Sequence, residues 1–377
     1  MSTKELIAKL QTKRESKLLV YFVGDRQNLS AQIGEDAVRI LYEHLLKINR
    51  VKRISLCLYT RGGDVGVPWK IVTMIREFCE EFEVLIPYRA HSAGTLISIG
   101  ADKIVMGRKG ELSPIDPTLT KFEKGVPTQI VSVENINSFI DFIRTKANIN
   151  DQSALASLVS ILANNISPDT LGRIHREDSH IRLVARKMLT TRKEKLEEER
   201  IVSIIELLTQ KMYSHGHAIS RKEAKEIGLP VEFPDDETEK LLWKLYLEYE
   251  KYLELNKPLD ALSELGNEEE KEIKHTPICI IESEGLRHEY QINVLMKKRR
   301  NIPPNPQINI NLNLQLPPQI KPETLPQEVQ QVLQNLFNQM VGNIKKIVEE
   351  EIRRQSPEIG VETKTYGGRW VLEYEGE

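Results

Sequence analysis

The sequence predicts an α/β fold built on a parallel sheet, and three observations carry that reading. Apolar runs at residues 18–23, 54–59 and 84–88 are the length of strands, and their lack of alternation suits strands buried on both faces. Segments whose apolar residues recur at helical spacing lie between them. Small or polar turns follow the runs, as at Gly24-Asp25, Thr60-Arg61-Gly62-Gly63-Asp64 and His91-Ser92-Ala93-Gly94-Thr95. In such a fold the loops at the C-terminal ends of the strands form the site.

Residues 18–23 are the first core strand. Ile33, Ala37, Ile40, Leu41, Leu45 and Ile48 mark the helix that follows, and a right-handed crossover sets the strand at 54–59 parallel to the first. Val67, Ile71, Met74, Ile75, Phe78 and Phe82 form one helix face. The strand at 84–88 leads through Ser92 into a helix over 93–101, and 103–106 is the next strand. Residues 124–165 read as mostly helical, with Phe139, Ile140, Phe142, Ile143, Leu155, Leu158, Val159 and Leu162 as apolar positions. Residues 183–208 read as a helix or helix pair whose charged run, 192–200, is a solvated face rather than a nucleic-acid site. Gly228 closes a helix begun near Ser220 to Lys222.

A different composition follows residue 235, and the expected organisation is a main domain over 1–235, a helical and hairpin extension over 236–300, a Pro/Asn-rich linker or strand over 301–322, and a C-terminal helix with short strands over 323–377. Trp243, Leu245, Tyr246, Tyr249 and Tyr252 predict an amphipathic helix, and Glu284-Gly285 the turn of a β-hairpin. Residues 308–316 alternate apolar residues with Asn or Gln, as in a strand with one dry face. Val329, Leu333, Leu336, Met340, Ile344 and Ile347 predict an amphipathic helix whose seam serves assembly, and Gly367-Gly368 divides residues 361–374 into two short strands.

The chain has 377 residues, 40% of them apolar, enough for a substantial core. Its 53 basic and 55 acidic residues nearly cancel, so no overall field recruits nucleic acid or acidic lipid. Cys57, Cys79 and Cys279 lack Cys-x-x-Cys spacing, which argues against a disulfide framework or a zinc site and fits a reducing cytoplasm. No metal or other cofactor is expected. The first 17 residues lack an apolar segment, so no signal peptide is expected, and no later run has the length of a membrane span.

A serine between small residues at a helix start ordinarily caps the helix. Ser92 has a second possible role, because first-turn amides of a helix face any oxyanion formed beside it, and the paired glycines Gly62 and Gly63 expose further amides. The donors would be Gly62 or Gly63 together with Ala93. His91 adjoins the serine and is expected to pack or line the substrate.

Four blocks carry a resemblance: Tyr59 to Asp64; His91 to Thr95 with Gly100 to Ile104; Glu111-Leu112-Ser113-Pro114-Ile115-Asp116-Pro117; and Glu223 to Val231. In this order they resemble the serine dehydrogenase proteinase family, related to the Clp protease subunit and the signal peptide peptidases within the crotonase-like superfamily. The resemblance covers roughly residues 17 to 235. It implies stacked ββα units around a parallel sheet, to which the remaining residues add a C-terminal α+β extension. It also implies a serine peptidase acting on a peptide or protein substrate, and a homo-oligomer.

The base is where the chain departs from the Clp pattern. Asp116 stands where that pattern has a histidine, and Ser214-His215-Gly216-His217 stands where it has an acid. A rearranged triad of Ser92, with His215 or His217 as base and Asp116 orienting the ring, is one arrangement. The signal-peptide-peptidase pattern instead pairs Ser with a lysine about fifty residues later, a distance that Lys146 meets. Asp64 replaces the usual serine of the Clp turn and bears on substrate preference. Two other readings stay open at this point: an acyl-CoA enzyme of the crotonase kind, and an inactive scaffold of the same fold.

Overall fold

The computed structural model describes residues 1–115, 118–123, 126–211, 217–302 and 325–375. Asp116, His215 and the alternating stretch 308–316 lie outside these residues.

The chain begins with α1 (Thr3–Arg14), capped by Ser2 and Glu5 in a reciprocal box. Next come β1 (Lys17–Val23), the short ribbon β2 (Asp25–Arg26) and β3 (Leu29–Ser30), α2 (Asp36–Ile48), β4 (Val51–Tyr59) and α3 (Val67–Phe78). After these come β5 (Cys79–Ile86), β6 (Arg89–Ala90), α4 (Ala93–Ile99), β7 (Lys103–Met106) and β8 (Glu111–Leu112). Phe82, counted on a helix face from its spacing, belongs to β5, because the chain turns extended at Cys79 without a glycine or proline to announce it.

Within the stretch expected to be mostly helical, residues 126–132 are extended. β9 (Thr118–Glu123) pairs antiparallel with β10 (Val126–Ser132), a stretch whose Val, Thr and Ile residues favour extended backbone. Helix begins only at α5 (Val133–Asp141), which passes through a π-helical turn, Phe142–Lys146, toward α6 (Gln152–Asn165). α7 (Pro168–Thr191) and α8 (Glu198–Glu206) form the helix pair that the charged run joins. One member of that run, Arg192, is buried rather than solvated. After a second π turn, Leu207–Lys211, come β11 (Ile219–Ser220), α9 (Arg221–Ile227), β12 (Val231–Glu232) and α10 (Asp236–Tyr252). Gly228 follows α9 with φ +97°, the left-handed stop its position suggests.

The last elements are α11 (Ala261–Leu265), β13 (Glu270–Ser283), β14 (Leu286–Arg300), α12 (Gln327–Gln355) and β15 (Glu358–Glu375). β15 is continuous through Gly367-Gly368, where two strands were expected. A β-carbon on Gly368 would lie 2.9 Å from Cζ of Tyr290, so this glycine makes room for a ring instead of marking a turn.

The main sheet has the order β12-β7-β5-β4-β1-β13-β14-β15. From β12 to β1 every pairing is parallel, and β13 joins β1 antiparallel, with Val20 opposite Glu282. Both faces are covered. Leu19, Tyr21, Leu56, Leu58, Val84 and Ile104 enter the core shared with α2, α3, α4 and α7. Leu18, Val20, Phe22, Cys57, Tyr59, Leu85 and Val105 enter a second core with α1 and α10. This double burial explains the unbroken apolar runs. The three cysteines are buried free thiols, and burial raises the Cys57 thiol to about 12.

By contacts the chain forms two units. The first comprises Met1–Leu259, His275–Ile292 and Gly367–Glu377. Within it the buried Glu282 carboxylate accepts hydrogen bonds from Thr3, Tyr249 and Tyr374, tying the N-terminal helix, α10 and the last strand to the hairpin. The second comprises Asp260–Lys274 and Asn293–Tyr366 and contains α11 and α12. In it Arg300 pairs with Glu269, and α12 buries no residue.

Candidate active site at Ser92

Two turns meet at the C-terminal ends of β4 and β6, and backbone pairing holds them together. Thr60 and Ala90 form a parallel bridge: Thr60 N–H donates to Arg89 O at 3.0 Å and His91 N–H to Thr60 O at 3.1 Å. The turns that leave these residues are therefore side by side, one carrying Gly62 and Gly63, the other Ser92 and Ala93. Their contact is close enough that a β-carbon on Gly62 would lie 2.8 Å from Ser92 Cβ and 3.3 Å from its Oγ. Gly62 and Gly63 have φ of +117° and +153°, a region that side chains disfavour. Gly63 also bridges Ile33, whose backbone would collide with any side chain there.

Ser92 does not cap α4. It precedes that helix with φ +49° and ψ −109°, and its hydroxyl bonds to no helix amide. A non-glycine residue with positive φ is strained by about 1–3 kcal/mol, and such strain recurs where a nucleophile stands on a strand-to-helix turn. Among the described residues Ser92 Oγ has no hydrogen-bond partner.

The amides around it divide into two groups. Gly62 N–H donates to Thr60 Oγ1 at 2.9 Å, and Ser92 N–H donates to Ser113 Oγ at 2.8 Å. The amides of Gly63 and Ala93 have no acceptor among the described residues. Of the two glycines considered from sequence as donors, Gly63 is the one whose amide remains free. Asp64 accepts Gly66 N–H at 2.8 Å and so shapes the entry to α3.

A polar clasp braces the same two turns. The Asp25 carboxylate accepts from Tyr59 Oη at 2.6 Å, Arg61 Nε at 2.6 Å and Arg89 Nη1 at 2.8 Å, so it grips a residue of each turn's approach. Burial alone would raise its pKa, but the hydrogen bonds from Tyr59 and Arg61 and the charges of Arg61 and Arg89 hold it below the usual range. Arg89 also meets Glu111 at 3.2 Å. His91 Nε2 lies 3.3 Å from Glu111, off the line of a hydrogen bond, and burial lowers its pKa despite the pull of that carboxylate.

The proposed bases differ in placement. β6 pairs parallel with β8, and β8 pairs antiparallel with β11, so Ala90, Leu112 and Ile219 stand in one row across a three-stranded sheet. The strand directions send Ser92 beyond Ala90, Ser113 beyond Leu112 and His217 before Ile219 toward the same edge. His217 Nε2 lies 2.8 Å from Glu223 Oε1, a carboxylate that the sequence shows only as the start of the fourth block, with no histidine partner. Lys146 ends the π-helical turn and is exposed, so this chain does not give it the burial that a lysine base requires. Neither His217 nor Lys146 is hydrogen-bonded to Ser92 Oγ. Among the described residues no cluster of His, Cys, Asp and Glu could hold a metal ion, and no helix is long and apolar enough to cross a membrane.

Residues 1–258 match the family of ClpP-like SDH-type serine proteinases. The chain belongs to that family. Its α/β architecture is accordingly the ClpP-like one. Among curated relatives, "Uncharacterized protein MJ0137" of Methanocaldococcus jannaschii is 29% identical over 195 residues, 52% of this chain and 59% of the relative. "Uncharacterized protein MJ1495" of the same organism is 22% identical over 178 residues, 47% of this chain and 51% of the relative. The chain thus spans between half and three fifths of these relatives' lengths. Among solved structures, a mutant of the 1510-N membrane-bound stomatin-specific protease aligns with a TM-score of 0.36 and 15% identity, covering 59% of this chain and 83% of that one. A ClpP1 mutant from Listeria monocytogenes aligns with a TM-score of 0.32 and 12% identity, covering 61% and 99%.

Proposed function

We propose that this chain hydrolyses peptide bonds through an acyl-enzyme on Ser92. The observation that carries the reading is the meeting of the two turns: a strained serine stands against a glycine turn, and among the described residues its hydroxyl and the amides of Gly63 and Ala93 are uncommitted. A carbonyl attacked by Ser92 Oγ would place its developing negative charge on those two amides, each worth on the order of 3 kcal/mol in comparable sites. Because the donors are backbone groups braced by the Asp25 clasp, they need no rearrangement as charge develops.

The proton of Ser92 needs an acceptor. The segment that contains His215 and His217 supplies it in this reading, supported by the row Ala90, Leu112, Ile219 and by the Glu223 carboxylate that orients the His217 ring. Asp116, three residues after Ser113 in the sequence, is a second candidate for orienting an imidazole. The leaving amine takes the proton back from the imidazole, and water repeats the cycle to release the acyl group. Assembly into a homo-oligomer is part of the proposal, supported by the apolar Val329, Val332, Leu336, Met340 and Ile347 that α12 leaves exposed.

The test is digestion of a peptide library followed by mass spectrometry of the products. Cleavage by the native chain that is absent with Ser92→Ala supports the reading. Equal cleavage by both, or none by either at high enzyme concentration, contradicts it.

A further inference from the structure

Two buried hydroxyls lie one step behind the reacting groups, and each takes one amide. Thr60 is fully buried; its Oγ1 accepts Gly62 N–H at 2.9 Å and lies 3.3 Å from Gly62 O. Its methyl group supports the other turn, since a β-carbon on Gly94 would lie 2.5 Å from Thr60 Cγ2. Ser113 is likewise buried; its Oγ accepts Ser92 N–H at 2.8 Å and donates to Pro114 O at 2.9 Å. Thr95 then fastens Ser113 to α4, because Thr95 Oγ1 accepts Ser113 N–H at 3.1 Å and lies 2.9 Å from both Ser113 O and Ala90 O.

Each of the two turns presents two successive amides, Gly62 and Gly63 on one, Ser92 and Ala93 on the other. In each pair the first is consumed by a hydroxyl and the second is left free. An oxyanion site with four competing donors would let a carbonyl settle in more than one position; removing two leaves one. The bond to Ser92 N–H has a further effect: it holds the amide plane of the residue whose φ of +49° aims its side chain away from helix capping.

We propose that Thr60 and Ser113 are positioning residues that select the Gly63 and Ala93 amides as the anion donors and hold Ser92 in its attacking conformation. The assignment rests on the acyl-transfer reading above and adds to it the two side chains that define the site without touching substrate. It predicts a defect in the chemical step, not in binding.

The experiment uses p-nitrophenyl acetate as the probe, with kcat and KM measured for the native chain and for Thr60→Val, Thr60→Ser, Ser113→Ala and Ser113→Thr. Thr60→Val keeps the shape and loses the hydroxyl. The expected result is a fall in kcat of about tenfold to a hundredfold for Thr60→Val and Ser113→Ala, with KM changed less than about twofold, and recovery of most of kcat in Thr60→Ser and Ser113→Thr. Amide hydrogen exchange on the native chain is the second measurement and depends on no variant folding: Gly62 and Ser92 should exchange more slowly than Gly63 and Ala93. Folded Thr60→Val and Ser113→Ala chains that keep native kcat overturn the assignment alone, as does equal exchange of the four amides. A native chain that never acylates at Ser92 overturns both this assignment and the hydrolase reading.

Discussion

Ser92 and Gly62 come from different strand-to-helix turns yet stand so close that a β-carbon on Gly62 would lie 2.8 Å from that of Ser92. Substitution of this glycine should therefore act on the serine directly. Gly62→Ala meets both the steric contact and a φ of +117°, and should destabilise the fold by at least about 1–3 kcal/mol. Chemical denaturation checks the stability, and the loss of any Ser92-dependent activity should exceed what the unfolded fraction explains.

Ser92 carries strain that a glycine would not. Ser92→Gly should be more stable than Ser92→Ala by roughly 1 kcal/mol, the relief of positive φ outweighing glycine's extra chain entropy. The two variants are equally inactive in this account, so thermal or urea unfolding of the pair isolates backbone strain from chemistry. A Ser92→Ala chain as stable as Ser92→Gly, or more stable, would contradict the strain.

The candidate site was legible in sequence where it depends on backbone, and opaque where it depends on neighbours. Ser92, Ala93 and the pair Gly62 or Gly63 follow from a turn pattern. Thr60, Ser113 and Glu223 do not, because their partners are decided by which strands lie side by side: Ser113 reaches Ser92 only because β8 pairs with β6. The core strands were legible because burial on both faces leaves no polar residue to interrupt Leu18 to Val23. The end of α3 was not, since helical spacing runs on from Phe78 to Phe82 while the chain is already extended at Cys79. Gly367-Gly368 misled for the converse reason: glycine accommodates Tyr290 as readily as it makes a turn.

The account separates the candidate bases by their surroundings. His217→Ala should slow acylation by about a hundredfold or more, as loss of a general base does, and Glu223→Ala should slow it less, by releasing the ring. Lys146→Ala, at an exposed position, should leave the rate unchanged. Pre-steady-state release of p-nitrophenol from an ester probe reads all three. If His217→Ala is silent and Lys146→Ala is not, the base comes from the lysine and the imidazole assignment falls.

Acid sensitivity is built in away from the site. His44 is fully buried on α2, with Nδ1 2.7 Å from Ser283 Oγ and Nε2 3.1 Å from His288 Nδ1; Lys47, Glu43 and Glu375 are the charged groups around the pair. Burial, then the neighbouring His288 and Lys47, lower His44 from 6.5 to about 3, and burial also lowers His288. The unfolded chain therefore binds protons at its ordinary imidazole value while the folded chain does not, so stability falls as pH drops below about 6.5. The slope is up to about 1.4 kcal/mol per pH unit for each imidazole. Urea midpoints between pH 7 and 4.5, above the range where most carboxylates titrate, should show this decline, and His44→Asn should flatten it. An equal slope in both chains would place the sensitivity elsewhere.

The central claim is that Ser92 is a nucleophile facing a preformed anion site. Treatment of the folded native chain with a fluorophosphonate probe, followed by mapping of the adduct by mass spectrometry, tests it most directly. The account predicts one covalent adduct on Ser92, absent in Ser92→Ala. A native chain that stays unlabelled, or an adduct that persists unchanged in Ser92→Ala, would contradict it.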